Sequence, residues 1–139
     1  MKKSILSFII VLISIIGFAQ NESGATITVT VENAKTDDGK LLIALHTEDN
    51  FMKGSGIASQ QSEIIDGKGT VTFKNVKPGE YAIMVLHDEN NNQRMDFEDN
   101  GMPKESYGMS NNPRSFGPPL YADAKFQVGE EDMEMAIRF

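Results

Sequence analysis

The chain of 139 residues has no cysteine and no tryptophan, and only two histidines. Without cysteine there can be no disulfide, thiolate nucleophile or thiolate metal site. Stability must then come from an apolar core, helped where possible by a bound ion. Two histidines, His46 and His87, with no firm third ligand, are a poor basis for zinc. Basic residues are also scarce, at 13 against 20 acidic, for a net charge of −7. Such a surface repels nucleic acid and anionic lipid and attracts cations. Neither G-x-S-x-G nor H-E-x-x-H occurs, so the common serine-hydrolase and zinc-protease layouts are missing.

There is one long apolar run, at the start. Lys2 and Lys3 precede a nearly unbroken apolar stretch at 4–18, and Gly17, Phe18 and Ala19 put small residues at −3 and −1 of a cut before Gln20. This predicts a secretory signal peptide over 1–19. The stretch is shorter than the ~20 residues that span a bilayer, so no membrane span is expected after cleavage. Removing Lys2 and Lys3 takes 13 basic residues to 11 against 20 acidic, a net −9. The expected destination is the periplasm or the exterior, and 20–139 is expected to fold as one domain.

Beyond residue 20 the apolar pattern has period two. In ATITVTVEN (25–33), Ile27, Val29 and Val31 alternate with threonines, as in a half-buried strand. KLLIALHT (40–47) puts Leu41, Ile43 and Leu45 on one face, and TVTFKN (70–75) puts Val71 and Phe73 inward. Pro78 and Gly79 make a turn into a strand with Tyr81, Ile83 and Val85 on one side. The segments 62–65, 121–128 and 133–139 read as further strands, and Phe51 as a loop residue laid back on the core. About seven short strands without a convincing helix predict an antiparallel β-sandwich, all-β, of immunoglobulin-like or prealbumin-like type.

Residues 88–119 lack periodicity, which is uncommon for an ordered chain unless the loop is functional. The stretch HDENNNQRMDFEDNG (87–101) concentrates acidic residues and asparagines. With Asp88 as position 1, side-chain oxygens fall at Asp88, Asn90, Asn92 and Asp96 (positions 1, 3, 5 and 9), the Arg94 carbonyl at 7 and Asp99 at 12. This is the alternation with which a curling backbone presents six to eight hard oxygens to calcium. Magnesium, which keeps its waters, suits such a cage less well. Position 6 is Gln93 rather than glycine, at a cost of roughly 1–2 kcal/mol in the left-handed turn. The other reading is an Asx-rich loop whose side chains cap their own backbone amides.

HDENNNQRMD, GMPKESYGMSNN, FGPP and ADAKFQV together resemble the secreted bacterial family called domain of unknown function 2141. KPGEY (77–81) is similar to the strand entry of transthyretin-like and carboxypeptidase-regulatory-like sandwiches. The resemblance implies export and a β-sandwich, and it implies no reaction. The family often has glycine beside the loop asparagines, where this chain has Asn91 and Gln93.

These features favour a non-enzymatic binding module. Calcium would brace the loop through Asp88, Asn90, Asn92, Arg94, Asp96 and Asp99. Glu105, Tyr107, Asn111, Asn112, Arg114 and Phe116 would present 101–119 to a glycan or to an envelope protein. A purely structural envelope domain without metal is the first alternative. A carbohydrate-active enzyme using loop carboxylates such as Glu105 and Asp123 is the second.

Overall fold

The computed structural model describes residues 24–114 and 116–139. The signal-peptide segment 1–19 lies outside the described residues. Among these residues no helix is long and apolar enough to cross a membrane.

Two sheets form the protein. One has order β4-β1-β8, from β1 (Ala25–Glu32), β4 (Gly69–Val76) and β8 (Met133–Arg138). The other runs β3-β2-β5-β6, from β2 (Lys40–His46), β3 (Ala58–Ser62), β5 (Gly79–Asp88) and β6 (Tyr107–Met109), with β7 (Phe126–Val128) also paired to β5. The β-sandwich is therefore present, with eight strands where the pattern predicts about seven. All pairings are antiparallel except β1 with β8, which run parallel from Ile27↔Met133 to Glu32↔Arg138.

The core follows from the alternation. Ile27, Val29, Val31, Leu41, Ile43, Ile83 and Ile137 are fully buried, with Phe73, Val71, Tyr81 and Val85 beside them. The turn at 77–80 is held by the Tyr81 hydroxyl, which donates to the Lys77 carbonyl at 2.9 Å.

Several expectations need correction. The edge strand beside β2 is Ala58–Ser62, not 62–65. The segment 121–128 divides into a helical turn α1 (Tyr121–Ala124) and β7, with Lys125 N–H closing the turn onto the Tyr121 carbonyl. The loop 88–119 contains β6, paired to β5, and Gly108 lets it pass close to β8. A Cβ there would lie 2.9 Å from the Arg138 oxygen and from Ile137 Cγ2. His46 pairs with Ala82 and His87 with Leu41. His87 lies five steps along β5 from Ala82, roughly 17 Å of strand, so the histidines do not face each other. Phe51 is half-buried as expected, but on the outer side of the five-stranded sheet, against Ala82, Met109, Ala124, Met84 and Tyr121.

Candidate functional site

The long loop begins where β5 runs out of partners. Asp88, its last residue, is 1% exposed. Its Oδ1 accepts the Asn92 N–H at 3.0 Å and its Oδ2 the Gln93 N–H at 2.8 Å. Asn90 Oδ1 also accepts the Asn92 N–H, and Asn92 Oδ1 accepts the Arg94 N–H, both at 3.1 Å. The chain curls because Asn91 and Gln93 adopt φ of 57° and 63°. Gln93 thus takes the left-handed position at which a calcium loop uses glycine.

The curl turns three side chains to one point. Asn90 Nδ2 and Asn92 Nδ2 donate to the same Asp96 Oδ2, at 2.6 and 2.7 Å. Asn90, Asn92 and Asp96 therefore meet at one point of the loop, while the Asp88 carboxylate holds the backbone amides of Asn92 and Gln93. Among the described residues no three acidic or histidine side chains are grouped to hold a metal ion. Asp99 is elsewhere. Gly101 N–H donates to the Glu98 carbonyl at 2.8 Å, and Phe97 bridges Pro103, so Asp99 is exposed at the tip of a small hairpin.

The other predicted ligand-binding residues divide into two groups. Glu105 is buried, and its carboxylate ties the loop's two arms, accepting Glu89 N–H at 3.1 Å and Asp96 N–H at 3.2 Å. The Asn111 amide donates to the Asp123 and Lys125 carbonyls. Asn112 donates to the Ala136 carbonyl and accepts the Arg138 N–H at 2.8 Å. These two asparagines, both in the left-handed region, fasten the loop to α1 and β8. Their neighbour Ser110, fully buried, stitches β5 to the end of α1: its Oγ accepts the Ile83 N–H at 3.0 Å and donates to the Ala124 carbonyl. Tyr107, Arg114 and Phe116 retain outward surface, Phe116 completely.

His87 is buried at the mouth of the loop. A carbonyl accepts from its Nε2, that of Asp38 at 2.8 Å, so Nε2 carries the proton. Its Nδ1 has no hydrogen-bond partner, the nearest carboxylate being Glu89 at 3.9 Å.

A groove that the strand pattern did not single out lies beside the loop. β2 and β5 are apolar on both faces: Leu42, Ala44, Met84 and Leu86 point away from the core. They floor a groove of ≈ 940 Å³. The hairpin at 97–103 walls one side with Phe97, Met102 and Pro103, Met52 stands on another, and Pro118 and Pro119 add to the wall. Phe97 is 58% exposed and Met102 61%. His46 and Phe51, edge-on at 5.9 Å, and Tyr121 beyond them, pack next to the groove. Burial, then the nearby Glu80, Glu48 and Asp49, raise the Tyr121 phenol above its ordinary pKa, which keeps it neutral. Apolar residues on both faces of a strand signal a sheet covered on both sides, and that signal was present in KLLIALH.

The sequence model of a bacterial family described as "Uncharacterized protein conserved in bacteria (DUF2141)" matches residues 29–136. The chain belongs to this family. The match takes in the whole loop and every groove residue named above. No curated protein and no solved structure matches the chain.

Proposed function

We propose that this family member is an exported, non-enzymatic binding module that holds an apolar ligand over the outer face of its five-stranded sheet, with the loop 88–119 as the wall. The observation that carries this reading is the groove itself. Its volume falls within the ~300–1,000 Å³ of small-molecule sites, and a contiguous apolar hollow of this kind is seldom left open without a use. Export, to the periplasm or beyond, is supported by the charged and apolar pattern of 1–19. The internal hydrogen bonds of Glu105, Asn111 and Asn112 make them supports of the wall rather than ligand contacts. Tyr107, on the groove, and the exposed Arg114 and Phe116 remain for a ligand or an envelope protein.

A dye that brightens in apolar surroundings tests the groove. It should bind wild-type protein and be lost at least about tenfold on Met84→Gln, which puts an amide on the floor for a few tenths to ~2 kcal/mol of stability. Equal dye binding by the variant would move the ligand elsewhere. No binding by either protein would favour the structural envelope domain.

A second reading concerns the loop. The alternate spacing of Asp88, Asn90, Asn92 and Asp96 along one left-handed curl supports one calcium ion there, with the Arg94 carbonyl at position 7 and without Asp99; the Asn90 and Asn92 amides would have to turn their oxygens to it. Such an ion would hold the two arms together beside Glu105. An ion bound only by folded protein adds ~2.7 kcal/mol at a hundredfold excess over Kd. Affinity in the ~10⁻⁴–10⁻³ M range of extracellular modules is expected, so millimolar calcium should raise the melting temperature and a chelator should reverse the rise. A melt indifferent to both would leave the loop as a self-capped structure.

A further inference from the structure

We infer that the groove takes a long-chain carboxylate, the chain lying over the sheet and the head group at Arg94. This rests on the reading of the groove as a ligand site and adds the chemistry of the ligand. The chain carries 20 acidic residues, yet among the described residues no aspartate or glutamate lines the groove. Among the described residues its one permanently charged lining residue is Arg94. That residue is held at the rim by the same curl that orders the loop, since its own N–H is bound to Asn92.

The Arg94 side chain is only loosely engaged. It is 76% exposed, and its ion pair runs from Nε to Asp96 Oδ1 at 3.7 Å, beyond hydrogen-bond distance. The rest of the guanidinium fork is available for a carboxylate, which it matches in a two-bond geometry. Gln93 stands beside it, and Gln60 and Gln61 also line the groove, so further neutral amides are present. Met52, Met84, Met95 and Met102 supply part of its apolar surface. Unbranched thioethers adapt to a flexible chain better than branched residues do. A second protein is a poorer fit, because a stable interface takes about 800 Å² from each partner and this hollow is concave and walled.

The test is displacement of the apolar dye from the full exported chain by palmitate, palmityl alcohol, a palmityl trimethylammonium salt and laurate, each kept below micelle formation. Palmitate should compete about tenfold better than the alcohol, as one charge-assisted contact allows. The cationic analogue should compete worst. Laurate should be weaker than palmitate by at least about tenfold, because it buries fewer methylenes. Arg94→Gln keeps the backbone carbonyl and an exposed side chain; it should bring palmitate down to the alcohol while leaving the alcohol unchanged. If palmitate and alcohol compete equally in wild-type protein, the carboxylate assignment falls and the groove reading stands. If the dye binds in the groove and none of the four displaces it, the carboxylate assignment falls and Met84→Gln still judges the groove; if the dye does not bind at all, both fall. Co-sedimentation with anionic vesicles, lost in Arg94→Gln, would replace the free carboxylate with a membrane surface and overturn the inference.

Discussion

Phe73→Ala is expected to destabilise the protein by ~3–4 kcal/mol, within the ~3–5 kcal/mol range for such truncations. Phe73 is 3% exposed and sits opposite Ile27 in the β1–β4 register. The transfer of its ring out of water is lost outright. The cavity contribution is smaller than it could be, because Phe73 also borders a hollow of ≈ 340 Å³ with Leu45, Ile57, Val76 and Tyr81. That space lets the neighbours shift and water enter, which places the cost towards the lower end of the range. Lys74→Ala, one residue on and exposed, should stay within about 0.5 kcal/mol, as surface changes do. Urea unfolding of the two variants beside wild type measures both. A Phe73→Ala loss below about 1 kcal/mol would contradict the strand register.

This register was legible because the side-chain period of a strand is two and one residue of slip would expose the whole set. Ile27, Val29 and Val31 could belong to no other face. The parallel placement of β8 beside β1 was not legible, since Met133, Met135 and Ile137 state a buried face without naming the neighbour. α1 was hidden for a different reason. Tyr121 to Ala124 is a single turn, closed by the Asp123 N–H on the Leu120 carbonyl and the Lys125 N–H on that of Tyr121, too short for a period to show. The groove floor was not legible because one apolar face of β2 is enough to supply a core, although Leu42 and Ala44 are apolar too.

Within the loop, local chemistry was readable and distant chemistry was not. The spacing of Asp88, Asn90 and Asn92 correctly implied a curl, since each can accept an N–H a few residues on. Asp99 is twelfth by count from Asp88, but Asn100-Gly101 is itself a hairpin signal, and the turn from Glu98 to Gly101 puts Asp99 at an exposed tip. Glu105 was read as a ligand contact. Its partners are backbone amides 16 and 9 residues away, and no spacing rule relates such positions. Only the fold does so, by running β6 back along β5.

Asp88→Ala should cost ~3 kcal/mol without any calcium present. A buried carboxylate here accepts two backbone N–H groups, from Asn92 and Gln93. Bonds to a charged group contribute roughly 1.5–3 kcal/mol each. They do not add fully, because the loop is exposed and water can reach the freed amides. The same two bonds hold Asn91 and Gln93 in left-handed conformations that side chains disfavour by roughly 1–2 kcal/mol each, so their loss should release the curl. The wall of the groove would loosen with it, and dye binding should weaken alongside stability. Asp88→Asn keeps one acceptor and turns an NH2 towards the second amide; about half the loss is expected. Asp99→Ala, at an exposed hairpin tip, should change stability by no more than about 0.5 kcal/mol. Thermal melts of the three variants, with chelator and then with millimolar calcium, separate the two roles of Asp88. If the loop only caps itself, the gap between wild type and Asp88→Ala is the same in both conditions. If it holds calcium, the gap widens by RT ln(1 + L/Kd), L being free calcium, or ~0.4 kcal/mol when L equals Kd. A chelated Asp88→Ala protein as stable as wild type would refute the capping role that the structure gives this carboxylate.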